Sequence, residues 1–214
     1  MSIKTCLFDL DGTLINTNDL IISSFLHTLD HYYPGQYKRK DVLPFIGPPL
    51  YETFENLDQD LSEEMVGMYR DHNLTNHDAM VTAFAGVQET VEALDRQGIK
   101  LGVVTTKMKD TAYRGLEIMG LRSFFPVVIA LDDVNRAKPD PEPVLLAMEK
   151  LQASPAETIM IGDNSHDIEA GQRAGVKTAC VSWSIKDHEF LKALKPDYWL
   201  EHMSDLLPLT EDDE

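Results

Sequence analysis

The sequence predicts an α/β protein, a Rossmann-like doubly wound parallel sheet carrying a small inserted α-helical cap. Three observations point there. Short apolar runs rich in Val and Ile alternate with segments of helical period. Gly and Pro punctuate the helical segments near their ends. One stretch, residues 16–82, exceeds what a single strand-to-strand crossover needs.

The first strand is expected over residues 3–8. In the surplus stretch, Leu20, Ile21, Phe25 and Leu29 share a helical face, and Ser62 opens a second helix with Met65, Met68 and Tyr69. Pro34-Gly35 and Gly47-Pro48-Pro49 mark turns between them. An insertion that leaves and rejoins the sheet just after its first strand sits over the strand C-terminal ends, where open α/β sheets bind ligands. The expected division is therefore a core of residues 1–15 and 83–214 and a helical cap of residues 16–82. A crossover helix over residues 86–97 aligns Val87, Val91 and Leu94 and stops at Gly98. Residues 99–105 form the second strand, and Asp110 is expected to cap a helix with Tyr113, Leu116 and Met119 that ends at Gly120. Residues 126–130 form the third strand, and Pro141 suits the first turn of a helix with Val144, Leu145 and Met148. Residues 158–161 and 177–181 complete the inner sheet, residues 198–200 add an edge, and residues 211–214 read as a disordered tail.

Composition narrows the function. With 19 Lys+Arg against 36 Asp+Glu, the formal charge of −17 repels nucleic acid and anionic membranes. Cys6 and Cys180 each sit in an apolar run and read as small buried hydrophobes rather than redox groups. No signal-like region or membrane-length apolar run is seen, so a cytoplasmic location is expected.

Chemistry concentrates at the strand ends. The first strand runs into Asp9-Leu10-Asp11-Gly12-Thr13, two carboxylates at i and i+2. A simple Asp-Gly turn would account for the pair alone; a calcium loop would not, because its third ligand, its central Gly and its final Glu are missing. The fourth strand ends in Gly162-Asp163, with Asp167 four residues on. A parallel sheet delivers all its C-terminal ends to one rim, so Asp9, Asp11 and Asp163 converge there. Three carboxylates at one rim repel unless a cation separates them, and oxygen-only ligation argues for Mg²⁺. Thr105-Thr106-Lys107 and Lys138, in Lys-Pro-Asp-Pro, bring hydroxyls, amides and ammonium groups to the same rim.

These four motifs, in this order, resemble those of the haloacid dehalogenase superfamily, and the insertion is similar to the small helical cap of its phosphoglycolate-phosphatase-like branch. The resemblance covers essentially the whole chain. It implies that Asp9 is a nucleophile forming an aspartyl-phosphate and that Asp11 is general acid, then base. It also implies Mg²⁺ held by Asp9, Asp163 and the Asp11 carbonyl, with Asp167 supporting from behind. Thr105 and the amide near Thr106 would hold phosphoryl oxygens, and Lys138 would neutralise charge beside the nucleophile. Asp11 separates phosphate chemistry from dehalogenation, since a departing halide needs no proton.

Segments such as His31-Tyr32-Tyr33-Pro34-Gly35-Gln36, and Asn16 where many relatives carry Asp, look like the bacterial inorganic pyrophosphatases of this branch. That resemblance implies a small anionic substrate, pyrophosphate, formed when serine-phosphorylated HPr is dephosphorylated. A phosphoglycolate phosphatase or other small phosphomonoesterase, a β-phosphoglucomutase-type mutase and a non-catalytic binding module remain as alternatives. The intact Asp9, Asp11, Lys138 and Asp163 set argues against the last. In the cap, Lys38-Arg39-Lys40 reads first as a solvated helix start and second as an anion contact. His72, His77 and Arg70 are undecided, and His166 is of interest for its place between Asp163 and Asp167.

Overall fold

The computed structural model describes residues 2–211, so residues 212–214 of the acidic tail lie outside the described residues. Strand β1 (Thr5–Phe8) is followed by a short strand β2 (Ile15–Asn16) and the helices α1 (Asn18–Tyr32), α2 (Arg39–Val42), α3 (Leu50–Leu57) and α4 (Ser62–Met80). Strand β3 (Thr82–Ala83) then leads into α5 (Val87–Arg96), β4 (Lys100–Val104), α6 (Lys109–Ile118), β5 (Val127–Ile129) and α7 (Glu142–Leu151). The chain finishes with β6 (Thr158–Gly162), α8 (Ser165–Ala174), β7 (Lys177–Val181), α9 (His188–Ala193), β8 (Tyr198–Leu200) and α10 (Leu207–Thr210).

The main sheet has the order β5-β4-β1-β6-β7-β8, with every neighbouring pair parallel, as the alternating pattern predicts. From the central β1 the chain builds outward through β4 and β5, then returns to β6 on the other side. The direction of winding therefore reverses between β1 and β6, the place where such sheets open a crevice. Both strands are wholly buried, and their apolar residues pack against helices on the two faces.

The surplus stretch leaves and returns through one narrow crossing. Strands β2 and β3 pair antiparallel, Ile15 opposite Ala83 and Asn16 opposite Thr82, so helices α1 to α4 hang from a two-stranded ribbon. They carry their own apolar cluster, centred on Phe25, whose ring lies 4.8 Å from Tyr69, 5.5 Å from Phe54 and 5.6 Å from Phe45.

Two local expectations are corrected. Asp110 does not cap α6; it lies inside the first turn, and the Lys109 N–H at the helix start is met by Asp132 Oδ1 at 2.9 Å. Leu145 does not face the core, because the α7 stripe follows Val144, Ala147 and Met148 and leaves it 45% exposed. Gly98 and Gly120 do follow their helices with positive φ, and Cys6 and Cys180 are buried free thiols.

Truncating the insertion's central ring, Phe25→Ala, is expected to lower the unfolding free energy by about 3–5 kcal/mol, whereas Leu145→Ala should stay within about 0.5 kcal/mol. Urea denaturation of both variants checks this contrast; equal losses would contradict the placement of Phe25 in a core and Leu145 at the surface.

Candidate active site

The rim between β1 and β6 gathers the charged residues. The Asp9 N–H continues the ladder beyond β1 by donating to Ile161 O at 2.8 Å, which fixes residue 9 beside the end of β6. Gly12 turns the chain with φ +83°, and a Cβ there would collide with the Asp163 carboxylate, so only glycine permits this close approach. Helix α8 begins directly after Asp163. Its Asn164 side chain caps the His166 N–H, and Asp167 Oδ2 accepts back from the Asn164 N–H at 3.0 Å.

Lys138 organises this rim. Its ammonium, only 3% exposed, donates to Asp9 Oδ1 at 2.8 Å, Val104 O at 2.7 Å and Asp167 Oδ1 at 2.6 Å. All three N–H bonds are used, the requirement for a buried ammonium. The pairing with Asp167 and Asp9 holds the Lys138 pKa up against the opposing effect of burial.

The carboxylates are less well served. Asp9, Asp163 and Asp167 can each offer an oxygen within 4.8 Å of the others, and all three are buried. Asp167 has given both oxygens to neighbours. Asp9 has one oxygen on Lys138 and the other open. The Asp163 carboxylate, on a residue 3% exposed, accepts no hydrogen bond among the described residues, although the Asp163 backbone carbonyl accepts from Ser184 Oγ at 2.6 Å. Two like charges about 4 Å apart repel by roughly 4 kcal/mol at an effective dielectric near 20. Burial accordingly pushes Asp9 up to about 7, with Lys138 pulling the other way, and burial with Asp9 and Asp167 nearby raises Asp163. An open, hard-oxygen pair under this strain fits a divalent cation such as Mg²⁺.

Asp11 stands apart from that trio. Its Oδ1 accepts from Thr17 Oγ1 at 2.6 Å and from Lys107 Nζ at 2.8 Å. Thr17 thereby spends its hydroxyl on Asp11 rather than on capping α1. The Thr105 N–H bonds Ile129 O, and its Oγ1 accepts the Lys107 N–H at 3.1 Å, leaving the hydroxyl proton for another partner. Thr106 Oγ1 reaches across to Gly47 O at 3.0 Å, a contact with the insertion.

The same insertion segment is held at two further points. Asn164 Nδ2 donates to Ile46 O at 3.0 Å, and Lys186 Nζ to Leu43 O at 2.5 Å and Ile46 O at 2.7 Å. Burial lowers Lys186 to about 8, with Asp163 opposing. Gly47 has φ +111°, and a Cβ there would strike the Asn164 amide. The result is a cavity of about 360 Å³, floored by Asp9, Asp163 and Lys138 and roofed by Phe25, Ile46 and Tyr69.

All of Asp9, Asp11, Thr105, Thr106, Lys138, Asp163 and Asp167 line this one cavity. The Lys38-Arg39-Lys40 run does not: Arg39 pairs with Asp19 at 2.8 Å, and Lys40 borders a separate groove. His72 stacks on His27 and meets Ser24, and His77 is buried near Gly115; neither reaches the cavity, whereas His166 does. Thr17 and Lys186 received no role from the sequence, and Lys107 only a place on the rim. Lys107 carried a signal, standing two residues after Thr105, but Lys186 follows no motif.

The chain matches a family of hydrolases over most of its length. The haloacid dehalogenase-like hydrolase profile matches residues 6–181, and the chain belongs to that family. It is 56% identical over 208 residues to pyrophosphatase PpaX of Bacillus velezensis, covering 97% of this chain and 96% of that protein. It is 57% identical over 209 residues to pyrophosphatase PpaX of Bacillus mycoides, covering 98% and 97%. Two solved haloacid dehalogenase-like hydrolases superpose along nearly the whole chain. That from Bacteroides fragilis has TM-score 0.89 and 27% identity, covering 95% of this chain and 99% of its own. That from Streptococcus pneumoniae has TM-score 0.87 and 25% identity, covering 98% and 99%.

Between pH 3.8 and about 7 the folded protein holds a proton on Asp9 that the unfolded chain has lost, so this site's contribution to metal-free stability declines as pH rises. A divalent cation removes that penalty most where the carboxylates are ionised. Added Mg²⁺ should therefore raise the Tm more at pH 8 than at pH 5.5, and Asp163→Asn should abolish the difference. Thermal scans with and without Mg²⁺ check this; an equal shift at both pH values would contradict it.

Proposed function

We propose that the protein is a Mg²⁺-dependent phosphohydrolase that cleaves inorganic pyrophosphate to two phosphates through an aspartyl-phosphate on Asp9. The observation that carries the chemistry is the asymmetric Asp9 carboxylate, one oxygen fixed by Lys138 and the other open to the cavity. The substrate follows from the relatives named pyrophosphatase at 56% and 57% identity over nearly the full length.

In this reading the open oxygen of Asp9 attacks one phosphorus of pyrophosphate, an Asp9–phosphorus bond forms, and the bridging P–O bond breaks to release phosphate. Lys138 holds Asp9 in line and offsets charge beside it. The Thr105 hydroxyl and the amide near Thr106 donate to phosphoryl oxygens as charge spreads onto them. Asp11, oriented by Thr17 and Lys107, then takes a proton from water, and the water oxygen attacks the same phosphorus to free Asp9. Phosphate departs readily, so Asp11 matters more in this second half than in the first. Asp9, Asp163 and the Asp11 carbonyl would hold Mg²⁺, with Asp167 positioning Lys138 from behind. Bound there, Mg²⁺ supplies charge neutralisation for the phosphoryl oxygens.

Residues 16–82 act in this reading as a cap domain over the core of residues 1–15 and 83–214. Their opening admits substrate, and their closing through the Leu43–Gly47 carbonyls excludes water from the first step. The proposed setting is the cytoplasm, with pyrophosphate arising from dephosphorylation of serine-phosphorylated HPr. Among the described residues no helix is long and apolar enough to cross a membrane.

Phosphate release from pyrophosphate, phosphoglycolate and sugar phosphates, with and without Mg²⁺, tests the assignment. The expected order places pyrophosphate first in kcat/KM, with activity lost on chelation. A higher kcat/KM for phosphoglycolate would replace pyrophosphate with the monoester. Asp9→Asn should lower kcat by at least about 10³-fold while leaving the circular dichroism spectrum unchanged.

A further inference from the structure

Three cations line the active-site cavity: Lys107, Lys138 and Arg70. Two are already paired. Lys138 lies between Asp9 and Asp167, and Lys107 is 2.8 Å from Asp11. The Arg70 side chain has no hydrogen bond, ion pair or ring partner among the described residues, and the residue is exposed at the cavity. An unpaired guanidinium beside an acidic rim is a conspicuous free cation, with five N–H donors in a planar fork.

Its backbone is not free to wander. Tyr69, the preceding residue, is buried in the insertion's aromatic cluster, 4.8 Å ring to ring from Phe25. Asn73 is buried one turn on, and its Nδ2 donates to Ser24 Oγ at 3.3 Å, tying α4 to α1. Residues 70, 73 and 74 recur at the i, i+3, i+4 spacing that makes one helix face, and all three line the cavity. That face opposes the rim where Asp9 and Asp163 stand.

Charge balance indicates what Arg70 waits for. The cavity wall holds five carboxylates, Asp9, Asp11, Asp110, Asp163 and Asp167, against those three cations. Lys107 and Lys138 together with one divalent ion on the rim would offset four of the five carboxylates, so that without Arg70 the wall would repel a substrate that brings a second anionic group. The reacting phosphoryl group would meet Lys138 and the ion, leaving Arg70 as the unpaired cation of the cavity wall for the remote group.

We propose that Arg70 is a specificity-determining residue that binds the non-reacting phosphoryl group of the substrate through its guanidinium fork. This rests on the pyrophosphate reading above for the identity of that group, and otherwise only on the substrate carrying a second anion. The two parts separate experimentally. The measurement is kcat/KM of the wild type, Arg70→Ala and Arg70→Lys for pyrophosphate, phosphoglycolate and p-nitrophenyl phosphate, the last bearing no second anion. Arg70→Ala should reduce the ratio of pyrophosphate to p-nitrophenyl phosphate kcat/KM at least tenfold. Arg70→Lys, which keeps the charge but loses the fork, should recover part of that ratio. Equal losses on both substrates, or no change in the ratio, would overturn the role of Arg70. If the wild type prefers phosphoglycolate, the pyrophosphate reading fails, and the same ratio is taken on phosphoglycolate, whose carboxylate is then the remote anion. A tenfold fall there upholds Arg70, and an unchanged ratio overturns it.

Discussion

The buried ammonium of Lys138 is the constraint on which the rest of the rim depends. It joins three parts of the chain that are far apart in sequence: Asp9 after β1, Val104 at the end of β4 and Asp167 in the first turn of α8. A charge this deeply buried is tolerated only with its donors satisfied, and removal of one partner of such a cluster costs about 3–5 kcal/mol. The same three bonds consume one oxygen of Asp9 and leave the other open, and they take one oxygen of Asp167, whose second oxygen accepts the Asn164 N–H. Asp163 is then the carboxylate left without a donor, facing the open oxygen of Asp9.

This arrangement follows from the reversal of winding between β1 and β6. Adjacent parallel strands end at the same level, and the ladder bond from Asp9 N–H to Ile161 O keeps the two ends in register. Gly12 then lets the loop after β1 approach Asp163 more closely than any side chain would permit. Above the rim, the insertion is held by donors from three core loops, Thr106, Asn164 and Lys186, all directed at backbone carbonyls between residues 43 and 47. Recognition through carbonyls ties the roof to the core without committing the insertion's side chains, leaving α4 free to present its own residues to the cavity. The overall charge of −17 is thus partly local: several of its aspartates sit on one rim, under mutual repulsion that a cation would relieve.

Much of this was legible in the sequence, for identifiable reasons. Strand runs announce themselves as short apolar blocks: Val or Ile stands in β4, β5, β6 and β7, whereas β1 and β8 read from Cys, Leu and aromatic residues. Asp9, Asp11, Thr105 and Asp163 stand at or just after strand ends, which parallel topology brings together, while Lys138 lies in the loop after β5 and Asp167 in the first turn of α8. Other features depend on side-chain direction, which spacing does not encode. Asp11 shares the cavity with Asp9 as spacing predicts, but that its carboxylate is held by Thr17 and Lys107 through two hydrogen bonds is not written in the spacing. Asp110 has the composition of a helix cap, but Asp132, from a loop 22 residues further on, takes that position by tertiary contact. The densest basic run, Lys38-Arg39-Lys40, stands out by composition, yet the insertion's cation at the cavity is Arg70, which stands in no basic run. Lys186 had no local signal because its partners are carbonyls more than 100 residues away.

The central claim is that Asp9 carries the phosphoryl group between the two halves of the reaction. The most direct measurement is acid quenching of the enzyme during turnover of ³²P-labelled pyrophosphate in the presence of Mg²⁺, followed by borohydride reduction and peptide mapping. The account predicts an acid-stable, hydroxylamine-labile label and reduction confined to residue 9. Turnover with no protein-bound label, or a label on any other residue, would contradict it.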